Sequence, residues 1–355
     1  MDYSNDERPG GQTYNWPSIF GCNTLYLIVL VLMILFSSGA AGLMSFKLVD
    51  TETWLVVTFI LEVLVIGVPP LLYLLVKRIN ITQTVRLNRT GLKELLLVLG
   101  MAGFGYGIVS FINLIWYWIL SHFGTPVVPE LPSINNGSQY MKALLVVALT
   151  PAVVEEYLFR GVILRGYERL GTRASVVVSG LLFAFLHLRL SNIPAIIFLG
   201  IMIGYVVVRT NSIFAGVLYH FTQNAISISF MYLQAAAAEY LQGAGAVQAE
   251  MGDIPPQMWM AFIMVWGLIA IFSLGLFLLC AIALHRVTQF KAGIEYQRAF
   301  EKKRPTFKEM LPIVAAGVII AIMLCIEVIA MTGGLQGMYT QKFTNYSYIM
   351  QNLLL

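Results

Sequence analysis

Long unbroken apolar runs, rather than strict alternation or a single helical stripe, dominate this chain. Crossing the hydrocarbon core of a bilayer takes about 20 helical residues. Runs of that length predict nine spans, at 24–45, 54–76, 94–120, 141–164, 173–189, 192–208, 212–233, 257–284 and 310–332. The fifth and sixth are short. They are joined by Arg189-Leu-Ser-Asn-Ile-Pro194, which is enough for a tight hairpin only. The expected fold class is all-α, a polytopic transmembrane helix bundle of about nine spans. Neither an internal repeat nor a low-complexity stretch is visible.

Composition supports that reading. The chain is 58% hydrophobic and 11% charged, against about 25% charged in a soluble domain. The net charge of +4 reflects loop bias and gives no reason to expect a nucleic-acid partner. With the N-terminus inside, seventeen Lys and Arg fall on inner segments and four on outer ones (Lys47, Lys142, Arg189 and Lys342). The outer loop with Glu239, Glu250 and Asp253 has no base. This is the positive-inside bias, and it predicts N-inside and C-outside. The first 20 residues are polar and show no signal peptide. Cys22, Cys280 and Cys325 are odd in number and widely spaced, so they read as small buried hydrophobes. The run Glu301-Lys302-Lys303-Arg304 reads as a solvated inner loop, with a lipid headgroup site as the alternative. The pairs Gly103/Gly107 and Gly200/Gly204 predict close helix contacts.

Candidate chemistry sits where the apolar pattern is broken. In 143–164 the only charges are Glu155, Glu156 and Arg160. An ionisable group at the bilayer centre costs about 2.5–3.5 kcal/mol on insertion scales and usually marks a working site. His187 ends the fifth span, and His220 and Asn224 lie in the seventh. At 1.5 Å of rise per residue, Glu155 and His220 lie about 14 Å from the inner span ends, and Asn224 and His187 about 20 Å. Three helices thus bring acid, imidazole and amide to similar depth. Glu156 and Arg160, spaced i, i+4, share a face and can pair. Glu155 is rotated by about 100° and faces elsewhere, toward other helices. Phe183 lies one turn before His187 and can fix its ring. A carboxylate facing a histidine can hold a water and take its proton. A second histidine and an amide can donate to an oxyanion. That is a hydrolase layout. There is no Gly-x-Ser-x-Gly, no His-Glu-x-x-His and no P-loop.

Glu155-Glu156-Tyr-Leu-Phe-Arg160, Phe183-Ala-Phe-Leu-His187 and His220-Phe-Thr-Gln-Asn224, in this order, resemble the CPBP family of intramembrane endopeptidases, also called CAAX prenyl protease type 2 or Abi proteins. The resemblance covers about 140–230. It divides the chain into an N-terminal membrane region (1–135, three spans), a catalytic core (136–235, four spans) and a C-terminal membrane region (236–355, two spans). It implies a membrane protease with Glu155 as general base, assisted by His187. It implies His220 and Asn224 as oxyanion stabilisers, with Glu156 and Arg160 holding their helix in place. Family members are described both as metal-dependent and as glutamate-dependent. Glu155, His187 and His220 are the ligands a zinc ion would take. Asn224 suits an oxyanion hole better than a metal, so the reading favours a glutamate mechanism requiring no cofactor, with zinc kept as the alternative.

The expected substrate is a hydrophobic or lipid-anchored peptide or protein at the bilayer, and the expected location is a bacterial plasma membrane. Two other functions compete. One is a non-catalytic scaffold or bacteriocin-immunity protein. The other is a proton-coupled transporter, which the lack of a repeat disfavours. The orientation is directly testable. A reporter active only in the cytoplasm should be active when fused after Gly171 and silent when fused after Asn136. The opposite pattern would invert the topology.

Overall fold

The computed structural model describes residues 5–7, 13–44, 50–126, 134–243, 256–289 and 304–333. Each of the nine apolar runs forms a helix. These are α1 (Ile19–Met44), α2 (Thr51–Val76), α3 (Leu92–Ser121), α4 (137–167), α5 (Thr172–Leu186), α6 (Ile193–Thr210), α7 (Ile213–Gly243), α8 (Pro256–Val287) and α9 (Phe307–Met331). A short antiparallel pair, Asn5–Glu7 with Thr13–Asn15, precedes them. Lys47, Glu250, Asp253, Glu301 to Lys303 and Lys342 lie outside the described residues.

By length and composition, six helices qualify as membrane spans: the apolar parts of α1, α2, α3, α6, α8 and α9. The other three expected spans are α4, α5 and α7. These are the helices that carry the candidate acid, imidazoles and amide. α4 is broken by wider turns, α5 has only 15 residues, and α7 is diluted by His220, Gln223 and Asn224. Polar chemistry thus weakens the hydropathy signal where it matters most.

Two helices are wound irregularly for a local reason. π-type turns occupy Glu62–Gly67 in α2, and Leu144–Leu149 and Tyr157–Ile163 in α4. The first is followed by Pro69-Pro70 and the second by Pro151. Proline has no N–H, so it cannot bond the carbonyl one turn back, and the helix above it loosens. The freed carbonyls need other partners inside a membrane.

Close approach is set by small residues. A Cβ on Gly200 would come 2.9 Å from the Gly180 oxygen, and one on Gly180 would come 2.8 Å from the Ile201 nitrogen. The backbones of α5 and α6 therefore touch. Gly204 packs on Val176 of α5 in the same seam. The expectation for the other pair is corrected. Gly107 meets Ser273 of α8, but a side chain on Gly103 would meet nothing within 4 Å. Its place in that interface is taken by Gly100, against Cys280. The period of four put Gly103 on the seam, whereas α3 turns it away.

Successive helices alternate in direction, as side-chain bonds at the two ends show. At one end Lys142 pairs with Glu52 at 2.7 Å and Tyr140 bonds Ser229 at 2.9 Å. At the other, Arg86 is buried and ion-paired with Glu168, and it donates to Asn211 Oδ1 at 3.1 Å. Arg165 adds 2.9 Å to Glu168 and 3.0 Å to the Gln83 carbonyl. Asn88 and Ser212 close the knot through backbone carbonyls. Glu168 thus ties together the connections 77–91, 168–171 and 211–212.

Burial alone would raise the Glu168 carboxyl, but Arg86 and Arg165 outweigh it and hold it below the usual carboxylate range. A carboxyl depressed in the folded state stabilises the fold above its unfolded value of about 4.3. That contribution is lost as pH falls through the lower folded value. Glu168→Gln should cost about 3–5 kcal/mol near neutrality, since it leaves Arg86 buried and unpaired. Thermal unfolding should show the wild type losing more stability than this variant below about pH 4.3. Parallel curves would refute the role given to Glu168.

Candidate active site

The two glutamates end the Thr150–Glu156 stretch of α4, and both are buried. Glu156 Oε1 accepts from Arg160 Nη1 at 2.9 Å. It also lies 3.0 Å from His220 Nδ1 on α7. A carboxylate only accepts, so Nδ1 of His220 carries a proton. The other ring nitrogen, Nε2, lies 3.8 Å from Glu155 Oε2. One imidazole therefore spans both acids. Rotation about the helix separates the glutamates, as the sequence predicts, but an imidazole has a nitrogen on each side and reaches both.

Both terminal nitrogens of Arg160 are bonded. Its Nη2 donates to the Gly200 carbonyl of α6 at 2.7 Å. Its guanidinium carbon lies 4.6 Å from the Phe183 ring centre, a cation–π distance. Phe183 also contacts both histidines, with ring centroids 4.9 Å from His187 and 5.6 Å from His220. The bare backbone of Gly216, one turn before His220, lets α7 approach. A Cβ there would come 3.2 Å from Glu156 Oε2.

His187 closes α5. Its Nδ1 lies 2.8 Å from the Phe183 carbonyl, so Nδ1 donates and Nε2 is left free to accept. The chain then turns through Leu188 at φ 51°, a conformation rarely adopted by a branched residue. The turn is braced from both sides. Trp116 of α3 donates to the Leu190 carbonyl at 2.7 Å, and Glu327 of α9 accepts from the Leu190 N–H at 2.7 Å.

Asn224 reaches α4, donating through Nδ2 to the Val147 carbonyl at 3.4 Å. That carbonyl lies four residues before Pro151, in the position the missing N–H would have bonded. The amide keeps a second N–H, and Asn224 stays 9% exposed. The structure therefore brings Glu155, Glu156, Arg160 and His220 into direct contact. Phe183 links His187 to them, and Asn224 lies one turn along α7.

Two acids escaped the sequence reading. Glu62 is the only charge in 54–76, is 1% exposed, and has no hydrogen-bond partner on either oxygen among the described residues. It sits in the π-type turn of α2 that packs on Thr150–Glu156, where Gly67 comes against Val154. Glu327 is the second. The signal that singled out Glu155, an acid in an apolar run, was present for both. Among the described residues no three His, Cys, Asp or Glu side chains converge as metal ligands. His220 Nδ1 is committed to Glu156, which leaves Nε2 as the ring nitrogen facing Glu155.

Fold and site together describe a multi-pass helical membrane protein with a buried acid–imidazole centre. More particularly, residues 137–226 match the family model described as type II CAAX prenyl endopeptidase Rce1-like, and this segment is a domain of that CAAX protease family. The match covers about a quarter of the chain. No curated protein and no solved structure matches the chain.

Removing one partner of a buried ion pair costs about 3–5 kcal/mol, whereas deleting an unpaired buried polar group is neutral or stabilising. Arg160→Leu should therefore lower the unfolding temperature sharply, and Glu62→Leu should leave it unchanged or raise it. Thermal denaturation of the two purified variants checks both. A large loss for Glu62→Leu would mean that its carboxyl has a partner.

Proposed function

We propose that this protein is an intramembrane endopeptidase that hydrolyses a peptide bond in a membrane-associated or hydrophobic peptide by a glutamate-activated water. One observation carries the reading: among the described residues Glu155 has no ion-pair partner other than an imidazole, and it stands beside a second acid paired with both Arg160 and His220. Glu156 is occupied by Arg160 and His220, so it orients and does not react. Each acid keeps an oxygen with no hydrogen-bond partner among the described residues, and Glu155 is the one with no arginine paired to it. In the proposed reaction Glu155 takes a proton from water, with the free Nε2 of His187 as second acceptor, and the resulting hydroxide attacks the scissile carbonyl. The developing oxyanion receives a hydrogen bond from the remaining Asn224 N–H, and His220, held by Glu156 through Nδ1, is the second stabilising group. Collapse of the intermediate returns the proton from Glu155 to the leaving amine. Electrostatic stabilisation of this kind is worth about 10²–10³ in rate for one donor.

The substrate class follows from the surroundings. The site lies within apolar helices, so the peptide must reach it from the bilayer. The family's printed name points to prenylated CAAX proteins as one candidate, and a peptide that is hydrophobic without a prenyl group is the other. A plasma membrane, bacterial by our reading, is the proposed location.

The test uses the full chain reconstituted in vesicles with a farnesylated CAAX peptide, the same peptide without the lipid, and an unmodified hydrophobic peptide. Glu155→Gln should lower turnover by about 10²–10⁴-fold. Insertion and unfolding temperature should stay near wild type. Asn224→Ala should lower kcat with little change in KM. Full turnover by Glu155→Gln would overturn the assignment in favour of a scaffold role or another nucleophile.

A further inference from the structure

A second feature lies at the basic end of the bundle, away from the acid–imidazole centre. A groove of about 890 Å³ opens between the start of α1, the end of α2 and the start of α9. Its walls differ along its length. Toward the middle of the bundle it is apolar, lined by Phe20, Leu25 and Ile28 of α1 and by Leu72 and Val76 of α2. Four of these are exposed on the outer surface of the helices, Val76 most of all at 77%. At its mouth stand three cations from three different elements: Lys77 at the end of α2, Arg169 in the turn after α4, and Lys308 in α9.

Among the described residues no acid neutralises the charge there. None of the three cations forms an ion pair with a described acid, in contrast to Arg86, Arg160 and Arg165, which all do. The one carboxylate in the lining, Glu309, is committed to capping its own helix. Its Oε2 accepts from the Thr306 N–H at 2.7 Å and from the Thr306 hydroxyl at 2.9 Å. The groove is also built, not incidental. Asn23 donates to the Glu309 carbonyl at 2.8 Å, tying α1 to α9, and Asn15 donates to the Lys77 carbonyl, tying the segment before α1 to α2.

We propose that this groove binds a glycerophospholipid with an anionic headgroup. The phosphate lies among Lys77, Arg169 and Lys308, and one acyl chain runs along Phe20, Ile28 and Leu72. Charge complementarity selects the headgroup. The apolar wall, continuous with the membrane-facing surface, selects a lipid over a soluble anion. Each Lys or Arg near an anionic bilayer surface adds about 1 kcal/mol of attraction. Three acting together should prefer an anionic lipid over a zwitterionic one by roughly a hundredfold, about tenfold at the least. The proposal does not depend on the protein being a protease.

The experiment uses the full chain purified in detergent, with native mass spectrometry of bound lipid. Dioleoyl phosphatidylglycerol is compared with dioleoyl phosphatidylcholine, which has the same chains and no net charge. The wild type should retain phosphatidylglycerol at least tenfold more tightly. The triple variant Lys77→Gln, Arg169→Gln, Lys308→Gln should lose that preference. The triple variant Arg89→Gln, Lys93→Gln, Arg286→Gln, which removes three other basic-end charges, should keep it. Millimolar inorganic phosphate should not displace the lipid. Should the groove variant fail to fold, Leu72→Trp, which fills the apolar wall at an exposed position, must weaken retention on its own. Equal retention of the two lipids, equal losses in both triple variants, displacement by phosphate, or full retention by Leu72→Trp would each overturn the proposal.

Discussion

A single oxygen atom organises the centre of this protein. Glu156 Oε1 accepts from Arg160 at 2.9 Å and from His220 at 3.0 Å, and Arg160 in turn donates to the Gly200 carbonyl. Helices α4, α6 and α7 are thereby joined by charge-assisted bonds between buried groups. Lipid offers no hydrophobic drive for helix association, so polar bonds and close packing must supply it. A buried carboxylate would be costly alone, and Arg160 offsets that cost. The same pairing has a chemical consequence. With Glu156 paired to Arg160, Glu155 is the acid with no arginine on it, and the His220 ring is held with its other nitrogen toward it.

Proline explains a second layer of the arrangement. Pro151 leaves the Val147 carbonyl without its helical donor, and Asn224 supplies one. The amide is therefore seated by a defect in the neighbouring helix. The α2 irregularity, just before Pro69-Pro70, places Glu62 against that same stretch of α4. In each case a break in helical winding brings a polar group to a depth where regular helix would offer none.

Much of this was legible in the sequence. Nine helices followed from the nine apolar runs, with ends within about five residues of those expected except in α7, which continues to Gly243 rather than ending near 233. The Glu156–Arg160 pair followed from i, i+4 geometry. Three things did not. Glu62 and Glu327 carried the same signal as Glu155, an acid in an apolar run, and were passed over because no motif flanked them. The double role of His220 depends on ring orientation, which spacing cannot encode. The facing of Gly103 depends on the rotation of α3, and a four-residue period fixes only which glycines lie together.

The helices outside the matched segment bear on the site as well. His187 sits at the end of a 15-residue helix, the shortest of the nine expected spans, and its chain exits through Leu188 in a left-handed conformation. A strained turn persists only where surrounding contacts hold it. Here the contacts come from both flanks of the sequence, Trp116 in α3 and Glu327 in α9, each bonding a backbone group of Leu190. Residues 137–226 supply the acid, the imidazoles and the amide. The fixed position of one imidazole, however, is set by residues before and after that segment, so excising the segment would keep the chemical groups while releasing the turn that aims His187.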